Sequence, residues 1–268
     1  MGHARPPSHV SAAEKMDGSL SASLAEALAV DDVDAVRWLL QRQLPNAPPE
    51  PSCAAASAAA VDNDARPTIE VLGLTLRSVP VMGEPVWPAA LALGGWLRAA
   101  APSAVRPRAI ELGAGAGAPG LVAATRGWAA SVVLTDGDES LLPLLRDNCS
   151  LNPPSRGTTV TCRHLDWRGG DHAIADLRGH FTHVLAADVL FSHGDIAPLT
   201  RACAALLDQD EPGARLLLAR STFFDELQPT LLAALETVGL QLLSTAPAQE
   251  PVAAIVLEFG WARRHDDS

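Results

Sequence analysis

Between Glu111 and Gly120 the chain reads Glu-Leu-Gly-Ala-Gly-Ala-Gly-Ala-Pro-Gly, residue types suited to holding a nucleoside. Gly113, Gly115 and Gly117 carry no Cβ, so this turn can take positive φ and lay its backbone, Ala114 included, against a ligand. Nineteen residues after Gly117, Asp136 closes the run Ser131-Val-Val-Leu-Thr-Asp136, where a carboxylate can accept both hydroxyls of a ribose. Asp136 or Asp138 equally suits the N-cap of the helix that follows. The stretch Gly115-Ala-Gly-Ala-Pro-Gly120 also satisfies the dinucleotide fingerprint, which leaves a nicotinamide-dependent oxidoreductase open. Two further acids, in His164-Leu-Asp166-Trp167 and Ala186-Ala-Asp188-Val-Leu-Phe191, are ones that such an enzyme does not require. His164, His172, His180, His183 and His193 show no ligand spacing, and no metal is expected.

These residues need strand ends to hold them, and the apolar pattern supplies strands. Extended segments are expected over Ala109 to Leu112, Val132 to Thr135, Val160 to His164, Thr182 to Ala187, Arg215 to Arg220, Leu240 to Leu243 and Ala254 to Phe259. An extended segment or hairpin is expected between Ile69 and Leu76, before a helix over Pro88 to Ala101. Further helices begin near Ala118-Pro119 and Asp195, the last with Ile196, Leu199, Cys203 and Leu206 on one face. Another starts at Phe224 and stops before Gly239, a left-handed cap. Strand-helix alternation makes this an α/β fold, a seven-stranded, mostly parallel sheet with helices on both faces. In such sheets ligands bind beyond the carboxyl ends of the strands, which is where the acids cluster.

The 268 residues hold one such domain and something extra, and a 48% hydrophobic content fills its core. Residues 1–18 read as a disordered tail and 45–66 as a linker. Between them, 19–44 read as a small helical hairpin in the manner of one ankyrin-repeat pair, with Leu20, Leu24 and Leu28 at helical spacing. This N-terminal segment either packs on the main domain at 67–268 or engages a protein partner. No apolar run reaches membrane-spanning length, the first twenty residues lack a signal-peptide core, and Pro6 spoils a myristoylation signal. Four cysteines without regular spacing suggest neither disulfides nor zinc, so a cytoplasmic or nuclear location is expected. A net charge of −11 excludes a general nucleic-acid backbone binder and favours basic partners.

Taken in order, Val86-Trp87-Pro88-Ala89-Ala90, the glycine run, Thr135-Asp136, Arg146-Asp-Asn148 with Leu151-Asn152, Leu165-Asp-Trp167 and Ala187-Asp188-Val-Leu-Phe191 resemble one family. It is the class I, seven-β-strand, Rossmann-like S-adenosylmethionine methyltransferases, and within them the family 16 protein lysine methyltransferases, over about residues 69 to 260. The resemblance implies methyl transfer from S-adenosylmethionine to a protein side chain, lysine above all. Ala118-Pro119-Gly120 and Phe191 also resemble relatives assigned to histone arginine. It implies that Trp87 and Gly113 to Gly117 line the cofactor, that Glu111 steadies the loop, and that Asp136 holds the ribose. Asp166 and Trp167 would border the adenine, Ala187 would flank the cofactor, and Asp188 to Phe191 would separate donor from substrate. Asp188 is expected to orient the substrate cation and Phe191 to contact it through its ring. Lysine-modifying relatives commonly carry a tyrosine where this chain has Phe191.

Overall fold

The computed structural model describes residues 68–77, 86–101, 103–221, 226–248 and 252–262. Two compact units divide the chain, Met1–Pro49 and Glu50–Ser268, and the described residues all belong to the second. The expected tail, helical hairpin and linker over 1–66, and Phe224 as a helix start, lie outside them. Among the described residues no helix is long and apolar enough to cross a membrane.

A hairpin comes first. Strands β1 (Thr68–Val71) and β2 (Leu74–Arg77) pair antiparallel through Leu72-Gly73. Both turn residues have positive φ, 56° and 78°, the geometry that lets a two-residue turn follow strand twist. The main sheet contains β3 (Arg108–Leu112), β4 (Ser131–Asp136), β5 (Thr159–His164), β6 (His183–Ala187), β7 (Arg215–Ser221), β8 (Leu240–Pro247) and β9 (Ala254–Trp261). Their order is β5-β4-β3-β6-β7-β9-β8, with β3 to β7 parallel and β9 antiparallel to both neighbours. The chain steps outward from β3 to β5 and returns on the other side of β3 to β6. The carboxyl ends of β3 and β6 thus flank the switch point, where α/β sheets open a crevice.

Helices α1 (Pro88–Ala99), α2 (Ala118–Thr125), α3 (Leu142–Leu151), α4 (Ile196–Leu206) and α5 (Gln228–Thr237) cover the sheet. Alternation along the strands feeds two cores. Ala109, Leu185 and Leu217 pack with α1 and α2, while Ile110, Val184, Leu216 and Leu218 pack with α4 and α5. Because both faces are covered, β6 and β7 read as almost continuous apolar runs. Strand β8 outlasts its expected end at Leu243. A register shift between Leu242 and Ser244 offsets its pairing with β9, which resumes from Ser244 to Pro247, and the mostly exposed residues there carry no apolar alternation to read.

Glu111 is a carboxyl group inside this packing, 2% exposed in the middle of the sheet. Helix α2 lies flush on β3 and β4 because Gly120 has no side chain. A Cβ there would stand 2.3 Å from Leu134 Cδ2 and 2.6 Å from Glu111 Oε2. The Gly120 N–H, one of the amides left unpaired in a first helical turn, donates to Glu111 Oε2 at 2.9 Å. Burial pushes the Glu111 carboxyl up from 4.5 to about 8, with Asp136 adding to the rise and the Gly120 hydrogen bond opposing it. Between those two values the unfolded chain has lost the proton that the folded chain keeps, so this residue's contribution to stability falls as pH rises through the window. Glu111→Gln keeps an acceptor for Gly120 and removes the titration. Its stability should match the native chain's near pH 4.5 and exceed it by on the order of a few kcal/mol near pH 8. Urea unfolding across that range measures the difference, and parallel curves for the two proteins would refute the assignment.

Candidate functional site

From Leu112 the backbone enters a turn in which Gly113, Gly115 and Gly117 have φ of 60°, 54° and 82°. Hydrogen bonds fix it at every step. The Ala114 N–H donates to the Thr135 carbonyl at 2.8 Å, the Gly115 N–H to Asp136 Oδ2 at 2.9 Å, and the Gly117 N–H to the Ala114 carbonyl at 2.7 Å. The other Asp136 oxygen accepts from the Asp138 N–H at 2.9 Å, while Asp138 caps the short 3₁₀ turn Glu139–Leu141 through the Ser140 N–H. Asp138 takes the capping role that the sequence offered to either acid, while Asp136 ties the glycine turn to β4. A Cβ built on Gly115 would meet nothing within 4 Å, so the turn faces open space on that side.

Below the turn, α3 grips it with an amide. Asn148 Nδ2 donates to the Ala116 carbonyl at 2.9 Å and to the Arg77 carbonyl at 2.8 Å, and Asn148 Oδ1 accepts from the Arg77 N–H at 2.8 Å. Asn152 repeats the exchange with Thr75, at 2.9 and 2.7 Å. Helical residues four apart advance about 6 Å, close to the rise of two strand residues, so the two amides act as a surrogate strand along β2. Sequence reading had only matched these asparagines to a family pattern. Their spacing of four beside a short strand was the available signal.

At the end of β6 the chain turns sharply at Asp188, whose φ of 49° is unusual for a residue with a side chain. Asp188 Oδ1 accepts from the Ser221 N–H at 2.7 Å and the Ser221 hydroxyl at 3.1 Å, at the end of β7. Asp188 Oδ2 is buried and completes no hydrogen bond. Burial raises the carboxyl above its ordinary range, opposed by the Ser221 donors and, more weakly, by the Ala89 amide and Arg220. Ser221 is thus the hydrogen-bond partner of this acid. Three residues on, the Phe191 N–H donates to Asp195 Oδ2 at 3.2 Å, and Asp195 also closes a capping box with Ser192. The Phe191 ring meets Trp87, at the start of α1, edge to face, with centroids 5.9 Å apart and planes at 79°.

These elements enclose a cavity of about 150 Å³. Of the sequence-predicted residues, Trp87, Gly113, Ala114, Gly115, Ala187, Asp188 and Phe191 line it. Leu141 and Leu144 form a wall that the sequence did not flag, although their spacing of three gives them one helix face. Glu111 and Asp136 lie behind the lining as holders of the turn. Gly117 is the N-cap of α2, where a Cβ would crowd Leu145 at 3.0 Å. Asp166 caps the 3₁₀ turn Trp167–Gly169 and pairs with Arg168 at 3.3 Å. Trp167 departs furthest from expectation. Its indole is 6% exposed, packs in the core shared with α4 and carries the Arg168 guanidinium on its ring at 5.4 Å, so it is a packing residue outside the cavity.

The site therefore presents Cβ-free backbone on one side and two aromatic rings with an unsatisfied carboxylate oxygen on the other. Space beside Gly115 is open, and Asp188 lines the same cavity as the two rings, an acid and aromatic faces being the groups that attract a positive charge.

Known proteins resemble this chain. The chain is 34% identical over 94 residues to calmodulin-lysine N-methyltransferase of Arabidopsis thaliana, covering 34% of this chain and 30% of that protein. It is 36% identical over 107 residues to protein N-lysine methyltransferase METTL21A of Mus musculus, covering 40% and 47%. The chain thus spans less than half the length of these curated relatives. The crystal structure of P. horikoshii TYW2 in complex with MeSAdo is similar in fold, with a TM-score of 0.50 and 17% identity over 70% of this chain and 68% of that one. A family model described as lysine methyltransferase matches residues 71–225, more than half the chain and all the elements around the cavity from β2 to β7, and to that lysine methyltransferase family this chain belongs.

Proposed function

We propose that the protein transfers the methyl group of S-adenosylmethionine to the Nζ of a lysine in a protein. The observation that carries this reading is the buried, unpartnered Asp188 Oδ2 beside Trp87 and Phe191, across the cavity from the glycine turn. Family membership supports the reaction and the nucleophile, and supports neither arginine nor a nicotinamide cofactor. The net charge of −11 supports a basic target surface. Cys149, Cys162 and Cys203 are free thiols, which supports a reducing compartment, cytosol or nucleus.

S-adenosylmethionine brings a methyl already made electrophilic by a sulfonium. The chain has to hold two reactants in line, and effective molarities of about 10⁵ M or more from such positioning make this the dominant contribution. The turn Gly113 to Gly117 supplies backbone without Cβ atoms and open space for the nucleoside, with Asp136 and Asn148 fixing its shape. Asp188 draws in the lysine ammonium and orients Nζ. A lysine has an ordinary pKa of about 10.4, so its proton must leave to water before attack, and the apolar wall of Trp87, Phe191, Leu141 and Leu144 favours the neutral amine once it has entered.

Asp188→Asn retains an acceptor for Ser221 and removes the charge. Transfer of tritium from labelled S-adenosylmethionine to proteins of a methylation-poor lysate should fall by about tenfold to a hundredfold, the range for one charged hydrogen bond, while cofactor affinity holds. Full activity would take Asp188 out of the mechanism, and label recovered as methylarginine after acid hydrolysis would overturn the lysine assignment. Asn148→Ala and Asn152→Ala separate loop from scaffold. Each should lower stability by about 1–3 kcal/mol, but only Asn148→Ala should also weaken S-adenosylmethionine binding in calorimetry, by a similar amount. Equal cofactor affinities for the two variants would show that the Ala116 contact does not shape the site.

A further inference from the structure

Two cysteines thirteen residues apart, one on a helix and one on a strand, meet side by side. Cys149 Sγ on α3 and Cys162 Sγ on β5 are 3.4 Å apart, both half-buried, both free, and packed against the core beneath α2 and α3. Strand β5 is an edge strand, so one side of the pair lies toward the rim of the sheet. The residue before Cys149 is Asn148, whose side chain holds both Ala116 in the cavity wall and Arg77 of β2. Earlier on the same helix, Leu144 lines the cavity.

We propose that Cys149 and Cys162 form a modification site, a dithiol that hydrogen peroxide closes to a reversible disulfide, and that closure loosens the cofactor pocket through α3. The two thiols are chemically unequal. The two sulfurs share one hydrogen bond in which either thiol can donate; that bond and the Arg146 guanidinium hold the Cys162 thiol below its ordinary range against the cost of burial, so the proton is assigned to Cys149. The same hydrogen bond, together with burial, holds the Cys149 thiol well above its ordinary range. Cys162 is therefore the attacking sulfur and Cys149 the resolving one. The Cys162 thiolate attacks one peroxide oxygen and the O–O bond breaks, giving a sulfenic acid and hydroxide. Cys149 sulfur then attacks the sulfenic sulfur, the S–O bond breaks, and the departing hydroxide takes the Cys149 proton as water. Two thiols are oxidised by two electrons in all, and one peroxide becomes two waters.

Closure shortens the gap from 3.4 Å to a covalent bond of about 2.05 Å. Movement of Cys149 toward β5 displaces its neighbour Asn148, and the Asn148 hydrogen bond to Ala116 has little slack at 2.9 Å. Oxidation would thus act on the glycine turn from behind, without touching a residue of the cavity wall.

The coupling half of this proposal rests on the cavity being the S-adenosylmethionine site, and the test separates the two. Reduced full-length protein is treated with hydrogen peroxide, mapped by non-reducing peptide mass spectrometry, and titrated with S-adenosylmethionine before treatment, after treatment and after dithiothreitol. A Cys149–Cys162 bridge should appear, with affinity lower by about fivefold or more and restored by dithiothreitol, within the usual range for coupled sites. Cys149→Ser and Cys162→Ser should each bind the cofactor and show no response to peroxide, and thermal melts confirm that both are folded. Absence of the bridge, a bridge to another cysteine, or a bridge that leaves affinity unchanged overturns the proposal. A reduced protein that does not bind S-adenosylmethionine overturns the functional reading instead, and the coupling with it.

Discussion

Two carboxylates clamp the turn after β3 from opposite sides, and the geometry of the site follows from that clamp. Glu111 reaches forward to the Gly120 N–H and fixes where α2 begins; Asp136 reaches across from β4 to the Gly115 N–H. Between these points the chain reverses through three positive φ values with little freedom left. Burying Glu111 is unfavourable, and the partial positive charge of the helix start offsets only part of the cost. Keeping the proton removes the rest. The result is a neutral acid inside the sheet and a half-buried acid at its rim, with different tasks set by depth alone.

The opposite wall depends on a strained residue. Asp188 holds a left-handed backbone that costs on the order of 1–3 kcal/mol for a residue with a Cβ, and the surrounding contacts must impose it. They come from β7: the Asp188 N–H donates to the Ala219 carbonyl at 3.1 Å, and Ser221 satisfies Oδ1 twice. The sharp turn redirects the chain so that Phe191 comes back against Trp87 instead of continuing along the sheet. Asp195 then fixes the start of α4 and the Phe191 amide together. One strained residue and one capping acid therefore place the aromatic pair.

Legibility in the sequence followed from the range of the forces involved. Strands β3, β4, β6 and β7 were readable because burial on both faces leaves continuous apolar runs, and Gly239 because a φ of 87° selects glycine. The glycine turn, Trp87, Ala187, Asp188 and Phe191 were readable as a set because each stands at a strand end or helix start. What escaped depends on side chains meeting across long stretches of chain. The grip of Asn148 on Arg77 spans 71 residues, and that of Asp188 on Ser221 spans 33. Cys149 and Cys162 carried no spacing signal because one sits on a helix and the other on a strand. Trp167 shows the reverse error. Its neighbour Asp166 caps a 3₁₀ turn, and that turn swings the indole under the sheet, a choice of face that a strand-end motif does not encode.

The substitution of phenylalanine for the tyrosine common among lysine-modifying relatives bears on how much the site needs a hydroxyl. The edge-to-face contact of Phe191 with Trp87 uses only the ring, so the aromatic wall is complete without one. What the ring cannot supply is a counter-charge, and in this site that is Asp188. Its second oxygen is buried and completes no hydrogen bond, the Ala89 amide acting on the carboxyl only weakly, a state that costs free energy. Under the proposed function, stability held back in this way would be recovered on binding and would favour a charged lysine over a neutral side chain of similar length. On that proposal, capture of the ammonium and attack by the neutral amine make opposite demands on one carboxylate, and the two are compatible when the proton leaves after capture, with the aromatic and leucine walls disfavouring its return.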